Sequence, residues 1–390
     1  MLLEDFPAID FVMLADGEYS TLKLVQSSFD YKDISNIAYR ENGAVTCTPF
    51  ILVDQLDQLP FPHRDQNSYY LGDAHFSIIS SRGCYNNCSY CSVGSFTKSF
   101  FNHRIRFRSA QNIYEELRVL KDIYHVKYIT FQDDLFVGAD FESQKRAKEL
   151  SRIIIENQLD IFFSIQCSVK AVNFDTFSEL YKAGLRNAMI GIENFSTHAL
   201  RCFNKPQNLS DIEAAIKTLH EIGIPISYGF IMYYPEMEPK EILENIEILY
   251  RLGIINLRSI TSKLQIYMGT PYFDRRLEDF IITERTNYTI KYQFRDTGIR
   301  TFIKECKAFE KAYGHIENML HRLEFLSYSN PQVDVDIVEK LSSEYRYCLY
   351  HFSKTLYNEI FEKKYNDHAE TIKKRMTALE ETICGLYTKV

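Results

Sequence analysis

The chain has 390 residues, of which 45% are hydrophobic and 25% charged, an ordinary balance for a soluble globular protein long enough for two or three domains. Its net charge of −7 argues against a broad electropositive surface for nucleic acid. No run of about 18 apolar residues is present to span a membrane, and Met1-Leu2-Leu3-Glu4-Asp5 lacks the features of a signal peptide, so a cytoplasmic location is expected.

Residues 1–70 read as an incomplete α/β piece: a short strand at Asp10–Leu14, a helix at Ser20–Ser27, a strand at Ile34–Arg40, then a linker at Leu59-Pro60-Phe61-Pro62. From 71 to 275 strand-like and helix-like segments alternate. Strands are expected at Phe76–Ser80, Lys127–Phe131, Ile161–Gln166, Asn187–Ile192, Ile224–Ile231 and Leu257–Tyr267. Between them, Ser109 can cap a helix with the apolar face Ile113, Leu117, Leu120 and Tyr124. Ser210 and Glu213 have capping-box spacing, and Pro239 suits a first helical turn. Gly184, Gly223 and Gly253 each follow a helical pattern where a left-handed cap is wanted. Six β/α steps in one direction imply a parallel sheet, either doubly wound or a partial barrel, with function at the carboxyl ends of its strands. Residues 276–390 read as helical, with one long stripe through Val338, Leu341, Tyr345, Cys348, Phe352, Leu356 and Ile360.

The nine cysteines are unevenly placed. Six are scattered singly and read as small buried hydrophobes. The other three form Cys84-x3-Cys88-x2-Cys91 just after the first strand of the alternating region. Clustered thiolates select zinc or an iron–sulfur cluster. A structural site is normally closed by four ligands, yet no fourth Cys or His has a plausible local spacing: His75 precedes the strand and His103 lies twelve residues beyond Cys91. The alternative is a structural metal knuckle completed by a distant residue.

The trio, with Tyr90 before its last cysteine, resembles the signature of the radical S-adenosylmethionine superfamily. Further likenesses run through about residues 75–275: Arg106-Phe107-Arg108-Ser109, Phe131-Gln132-Asp133-Asp134-Leu135-Phe136, Phe163-Ser164-Ile165-Gln166-Cys167, Gly191-Ile192-Glu193-Asn194, Gly229-Phe230-Ile231-Met232 and Gly269-Thr270-Pro271. The resemblance implies an α/β fold with a partial six-stranded (β/α) barrel. It also implies one [4Fe-4S] cluster on Cys84, Cys88 and Cys91, with S-adenosylmethionine on the open iron. Asp133, Asp134 or Glu193 would accept from the methionine ammonium, Ser164 and Gln166 would meet the ribose, and Tyr90 would lie near the adenine. Cys306, Cys348 and Cys384 are too far apart for a second cluster. The helical region after Pro271 is the candidate lid or substrate domain.

Within the superfamily, Asp10–Glu18 and the Leu56–Pro62 linker resemble the end of the cobalamin-binding domain of one branch. Asp73-x-His75 lacks a glycine three residues after the histidine, so it is not the cobalamin loop of that branch. Either the domain has decayed and cobalamin is lost, or the sequence is a fragment. Ser168 stands where relatives often carry Arg after the cysteine, leaving Lys170 as a substitute carboxylate anchor. The expected function is a radical enzyme acting on a small molecule or peptide, with an electron donor such as flavodoxin or ferredoxin. The competing readings are a radical RNA-modifying enzyme, disfavoured by the mixed charge of the helical region, and a non-catalytic metal-binding scaffold.

Overall fold

The computed structural model describes residues 2–64, 76–101, 104–275, 281–286, 288–327, 333–364 and 368–387. Asp73, His75, His103 and the borders set at 70/71 and 275/276 fall on or against residues outside that set. Two compact units result: residues 1–188 with 268–270, and residues 189–267 with 271–390.

The first unit opens with α1 (Leu2–Asp5), β1 (Phe11–Met13), α2 (Glu18–Gln26), β2 (Ile37–Glu41) and β3 (Ala44–Cys47). The three strands form an antiparallel sheet in the order β1-β2-β3. A small core of Leu24, Ile34, Ile37 and Tyr39 sits on it. Next come β4 (Phe76–Ile78), β5 (Ser81–Arg82), α3 (Ser92–Phe101) and β6 (Arg106–Phe107). β5 pairs antiparallel with β6, so both ends of the cysteine segment are held side by side.

The β/α repeat continues with α4 (Ala110–Tyr124), β7 (Tyr128–Phe131), α5 (Phe141–Glu156), β8 (Phe162–Cys167), α6 (Phe174–Lys182) and β9 (Leu185–Glu193). Ser109 caps α4 as expected, its hydroxyl accepting from Asn112 N at 3.1 Å. Ile113, Leu117 and Leu120 on that helix are completely buried, and Phe131, Phe136 and Phe163 pack ring to ring beneath the layer. β4 pairs parallel with β7, and β7 with β8.

In the second unit follow α7 (Thr197–Cys202), α8 (Leu209–Ile222), β10 (Ile226–Phe230), α9 (Pro239–Arg251), α10 (Leu257–Thr261), β11 (Ile266–Tyr267) and α11 (Pro271–Asp274). The main sheet has five strands in the order β10-β9-β8-β7-β4. The expected sixth strand is therefore corrected. Leu257–Thr261 winds into α10 because Asn256 caps it, accepting from Ser259 N at 2.7 Å, and a short apolar run does not fix its own period. What remains of that strand is a single parallel bridge between Tyr233 and Lys263 and the two residues of β11, which join a different sheet. The cap of α8 is also not the Ser210–Glu213 pair: Asn208 and Asp211 form the capping box. Pro239 does open α9, and Gly223 ends α8 at φ +86.

Residues after 271 are not helical throughout. β12 (Ile281–Arg285) and β13 (Thr289–Gln293) join β11 in an antiparallel sheet ordered β11-β13-β12, as their β-branched and aromatic residues favour. Three long helices follow: α12 (Thr297–Ser327), α13 (Val335–Tyr357) and α14 (His368–Tyr387). They pack on one another, and α13 also packs on α9, where Tyr250 stacks on Tyr350 with centroids 4.1 Å apart. From the expected stripe, Val338, Tyr345 and Cys348 are buried.

A buried ion-pair knot joins the start of the chain to the cysteine hairpin. Asp16 accepts from Arg106, from Arg82 at 2.8 Å and from Val53 N at 2.9 Å, and Arg106 is 2% exposed. Burial raises the Asp16 pKa, but hydrogen bonds from Arg106, Val53 and Arg82 outweigh it and hold the carboxyl below its usual value. The group is thus worth most above the unfolded carboxylate pKa of about 4, and its contribution fades as pH falls through the lower folded value. Asp16→Ala, by stranding Arg106, is expected to cost about 3–5 kcal/mol at neutral pH. Urea titrations at pH 7 and at acid pH should show the gap between the two proteins narrowing in acid.

Candidate functional site

The three cysteines leave the sheet between β5 and α3, at the carboxyl side of β4. None is in a disulfide; Cys88 is buried, and Cys84 and Cys91 are half-buried. The loop is closely fitted to its surroundings. Cys84 N donates to Thr97 Oγ1 at 3.3 Å, Cys91 N donates to Cys88 O at 3.2 Å, and Asn86 Nδ2 approaches Cys84 Sγ at 3.5 Å. Ala139 N donates to the Tyr85 hydroxyl at 2.9 Å, and Gly138 leaves room for that ring, since a Cβ there would meet the hydroxyl oxygen at 2.0 Å unless Tyr85 moved.

Among the described residues no three Cys, His, Asp or Glu side chains stand together in metal-holding geometry, the trio included. What fits an iron–sulfur cluster is the donor set: three thiols outside disulfides, within eight positions, on one short loop.

Asp133 and Asp134 follow β7 and behave differently. Asp133 is 1% exposed, and its Oδ1 accepts from Ser80 N at 3.0 Å, Ser80 Oγ at 2.8 Å and Ser81 Oγ at 2.5 Å. Its Oδ2 is buried without a hydrogen-bond partner, and burial raises its pKa despite nearby Arg146. Asp134 is exposed and accepts from Gly83 N at 3.3 Å, which puts its carboxylate beside the cysteine loop. The structure thus brings Asp134 to the loop directly and Asp133 only through two serines.

On β8 the alternation holds. Phe163, Ile165 and Cys167 are buried, while Ser164 and Gln166 share the other face, Ser164 Oγ lying 3.2 Å from Thr130 Oγ1. Burial pushes the Cys167 thiol up to about 12, as expected of a packing cysteine. Tyr90 is half-buried in the turn before α3. Lys170 is exposed.

Glu193 ends β9 in the second unit with φ +65, a left-handed conformation that costs a side-chain-bearing residue about 1–2 kcal/mol. It pairs with Lys205 at 3.1 Å, both side chains being largely buried. Two glycines clear the space: a Cβ on Gly191 would lie 2.7 Å from Glu193 Oε1, and one on Gly229 would lie 3.3 Å from Oε2. Sequence reasoning missed Lys205. Its signal is positional, because the six-residue α7 turns the chain back and Lys205 N donates to Leu200 O at 2.9 Å. It also missed Arg146, whose guanidinium is buried over Phe107 and Phe136 and donates to Ser80 O and Phe136 O.

A loop of three thiols at the carboxyl end of a parallel sheet, with the Asp134 carboxylate beside it, is the arrangement of a radical S-adenosylmethionine type of domain. Residues 78–249 match the model of the radical SAM superfamily, so the chain carries a radical SAM domain. An uncharacterized methyltransferase of Pyrococcus horikoshii is 28% identical over 75% of this chain and 62% of its own length. The cobalamin-dependent S-adenosylmethionine radical enzyme OxsB, with aqua-cobalamin bound, superposes with a TM-score of 0.74 at 17% identity, covering 97% of this chain and 62% of that one. The radical methyltransferase TsrM from Kitasatospora setae gives 0.57 at 17% identity, over 69% of this chain and 56% of its own. The chain therefore spans less than two thirds of these relatives. The radical SAM domain implies a [4Fe-4S] cluster and S-adenosylmethionine as cofactors.

Replacing Cys84, Cys88 or Cys91 by Ala should abolish the iron–sulfur absorbance of anaerobically reconstituted protein. The same change at Cys167, Cys202 or Cys306 should leave iron and sulfide content unchanged. Tetrahedral zinc with a fourth protein ligand would contradict the assignment.

Proposed function

We propose that the protein reductively cleaves S-adenosylmethionine, using one [4Fe-4S] cluster on Cys84, Cys88 and Cys91, and directs the resulting 5′-deoxyadenosyl radical at a small-molecule or peptide substrate. The observation that carries this reading is the three-thiol loop at the carboxyl end of a parallel sheet, inside the matched residues 78–249. When bound, the cluster supplies one electron to break a carbon–sulfur bond, releasing methionine.

The protein's own groups bind and orient. Asp134 and Glu193 are anionic acceptors for the methionine ammonium, and Lys205 beside Glu193 offers the opposite charge for the carboxylate. Ser164 and Gln166, on one face of β8, are partners for the ribose hydroxyls, and Tyr90 supplies a flat surface for the adenine. Asp133 contributes by fixing Ser80 and Ser81, where the loop departs. The electron donor is a small redox protein such as flavodoxin or ferredoxin. Methyl transfer is the reaction subtype favoured by the names of the Pyrococcus and Kitasatospora proteins. No described helix is long and apolar enough to cross a membrane, which accords with a cytoplasmic enzyme.

With a strong reductant, the anaerobic protein should release methionine and 5′-deoxyadenosine from S-adenosylmethionine, slowly even without its own substrate; Cys88→Ala should release neither. Glu193→Gln and Asp134→Asn should each keep the cluster spectrum. At least one should weaken cosubstrate binding by roughly 1.5–3 kcal/mol, about ten- to a hundredfold. Full affinity in both variants would remove their assigned roles. An intact cluster that never cleaves the cosubstrate would remove the reading itself.

Cobalamin retention is expected to be weak or absent. The described N-terminal residues form an antiparallel three-stranded sheet with one helix of more than a single turn, and the first histidine of the sequence, His63, lies beyond these elements. Gel filtration after incubation with hydroxocobalamin checks this, stoichiometric corrin in the protein peak being the contrary result.

A further inference from the structure

Helix α3 begins at the residue after the last of the three cysteines, and its two sides differ. The inner side is packed on the cysteine loop. Ser95 N donates to Cys91 O at 3.4 Å, and the fully buried Thr97 accepts from Cys84 N at 3.3 Å. A Cβ on Gly94 would meet the backbone oxygen of Asn86 at 2.8 Å, so helix and loop are in backbone contact. The outer side therefore stands about one helix diameter, 10–12 Å, from the loop.

That outer side carries Phe96, which is 43% exposed. Phe100 joins it to a second exposed ring, with centroids 4.7 Å from Phe96 and 5.0 Å from Phe50. Phe50 is 49% exposed and its neighbour Ile51 60%. Single exposed apolar residues need no explanation, but three connected through one ring form a patch, and patches mark contact surfaces.

The charge pattern selects the partner. Between Asp73 and Glu115 the sequence holds five Lys or Arg and no acidic residue, in a chain whose net charge is −7. Arg82, Arg104, Arg106 and Arg108 each pair with a carboxylate from another segment. Lys98 on α3 is exposed and makes no ion pair among the described residues. The surface over the cysteine loop is thus aromatic with a free cation, and it suits a partner whose contact face is acidic.

We propose that the outer side of α3, with Phe50 and Ile51, is the docking surface for the electron donor, an acidic one-electron carrier of the flavodoxin kind. This rests on the cluster assignment made under the proposed function. In the transfer the donor's fully reduced flavin loses one electron and the cluster gains it; no bond is made or broken. A patch of this size accords with the small interfaces of transient redox encounters, below about 1,200 Å² in total.

The test uses the full chain, anaerobically reconstituted, with purified flavodoxin. Binding is read by calorimetric titration, and methionine release is compared between reduced flavodoxin and dithionite as reductants. Phe96→Ser and Phe50→Ser are expected to weaken flavodoxin binding at least about tenfold and to slow flavodoxin-driven release in step. Lys98→Glu should weaken binding several-fold at low salt and less at high salt, where the attraction is screened. All three should keep iron content and dithionite-driven release. Ile123→Ser, an exposed apolar position near the end of α4, should change nothing. If a Phe variant does not fold, Lys98→Glu carries the test. Absence of any cluster that dithionite reduces would overturn the proposed function and this proposal with it. A cluster reduced by dithionite in every protein, with flavodoxin binding absent or equal in all of them, would overturn the docking surface alone. Dissociation of a dimer by Phe96→Ser with flavodoxin binding intact would overturn it in favour of a second copy of the chain.

Discussion

A carboxylate with 1% exposure must draw its hydrogen bonds from the protein, and Asp133 gathers three on one oxygen from Ser80 and Ser81. Those serines end the first strand of the main sheet and begin the hairpin that carries the cysteines. Arg146 closes the arrangement from below. It donates to Ser80 O at 3.1 Å and Ser80 Oγ at 2.9 Å, lies over two aromatic rings, and its charge offsets that of Asp133. Removing either ion would strand the other where water cannot reach it, a loss of several kcal/mol. The position of the cysteine loop follows from this knot and from the Asp16–Arg106 knot at the same hairpin.

The same constraint explains which parts of the site could be read in advance. The cysteine spacing, the cap at Ser109 and the two-residue alternation of Ser164 and Gln166 are local patterns, decided within a few residues, and all three are legible in the sequence. The different surroundings of Asp133 and Asp134 are not local. Adjacent carboxylates look interchangeable until β4 and β7 pair and set one beneath Ser80 and the other beside Gly83. Lys205 and Arg146 escaped notice for a related reason. Lys205 meets its partner twelve positions away through a chain reversal, and Arg146 meets Ser80 across 66 positions.

The fold shows the same division. Five of the six expected strands of the main sheet are present close to their expected bounds. The sixth was misread because Leu257–Tyr267 is apolar enough for strand or helix, and a single capping side chain, Asn256, tips its first half into a helix. The β12–β13 hairpin was hidden by the long helical periodicities that follow it. Its own signal, β-branched and aromatic residues within two five-residue strands, is short beside 31 residues of α12.

Glu193 shows how the sheet gives up local stability to hold a charge in place. Its left-handed backbone is unfavourable, and the glycines at 191 and 229 forgo side-chain packing on the strands. The compensation is electrostatic: the carboxylate meets Lys205 where both are largely removed from water and the attraction is little screened. A pair needed only for stability could be replaced by well-packed apolar residues at no loss. Under the proposed function, keeping it at a strand end, with two glycines cleared around it, would serve the recognition of a zwitterion. The ammonium and carboxylate of an amino acid present the same two charges in the opposite sense, so a ligand can exchange the internal pair for two external ones without leaving either side chain uncompensated.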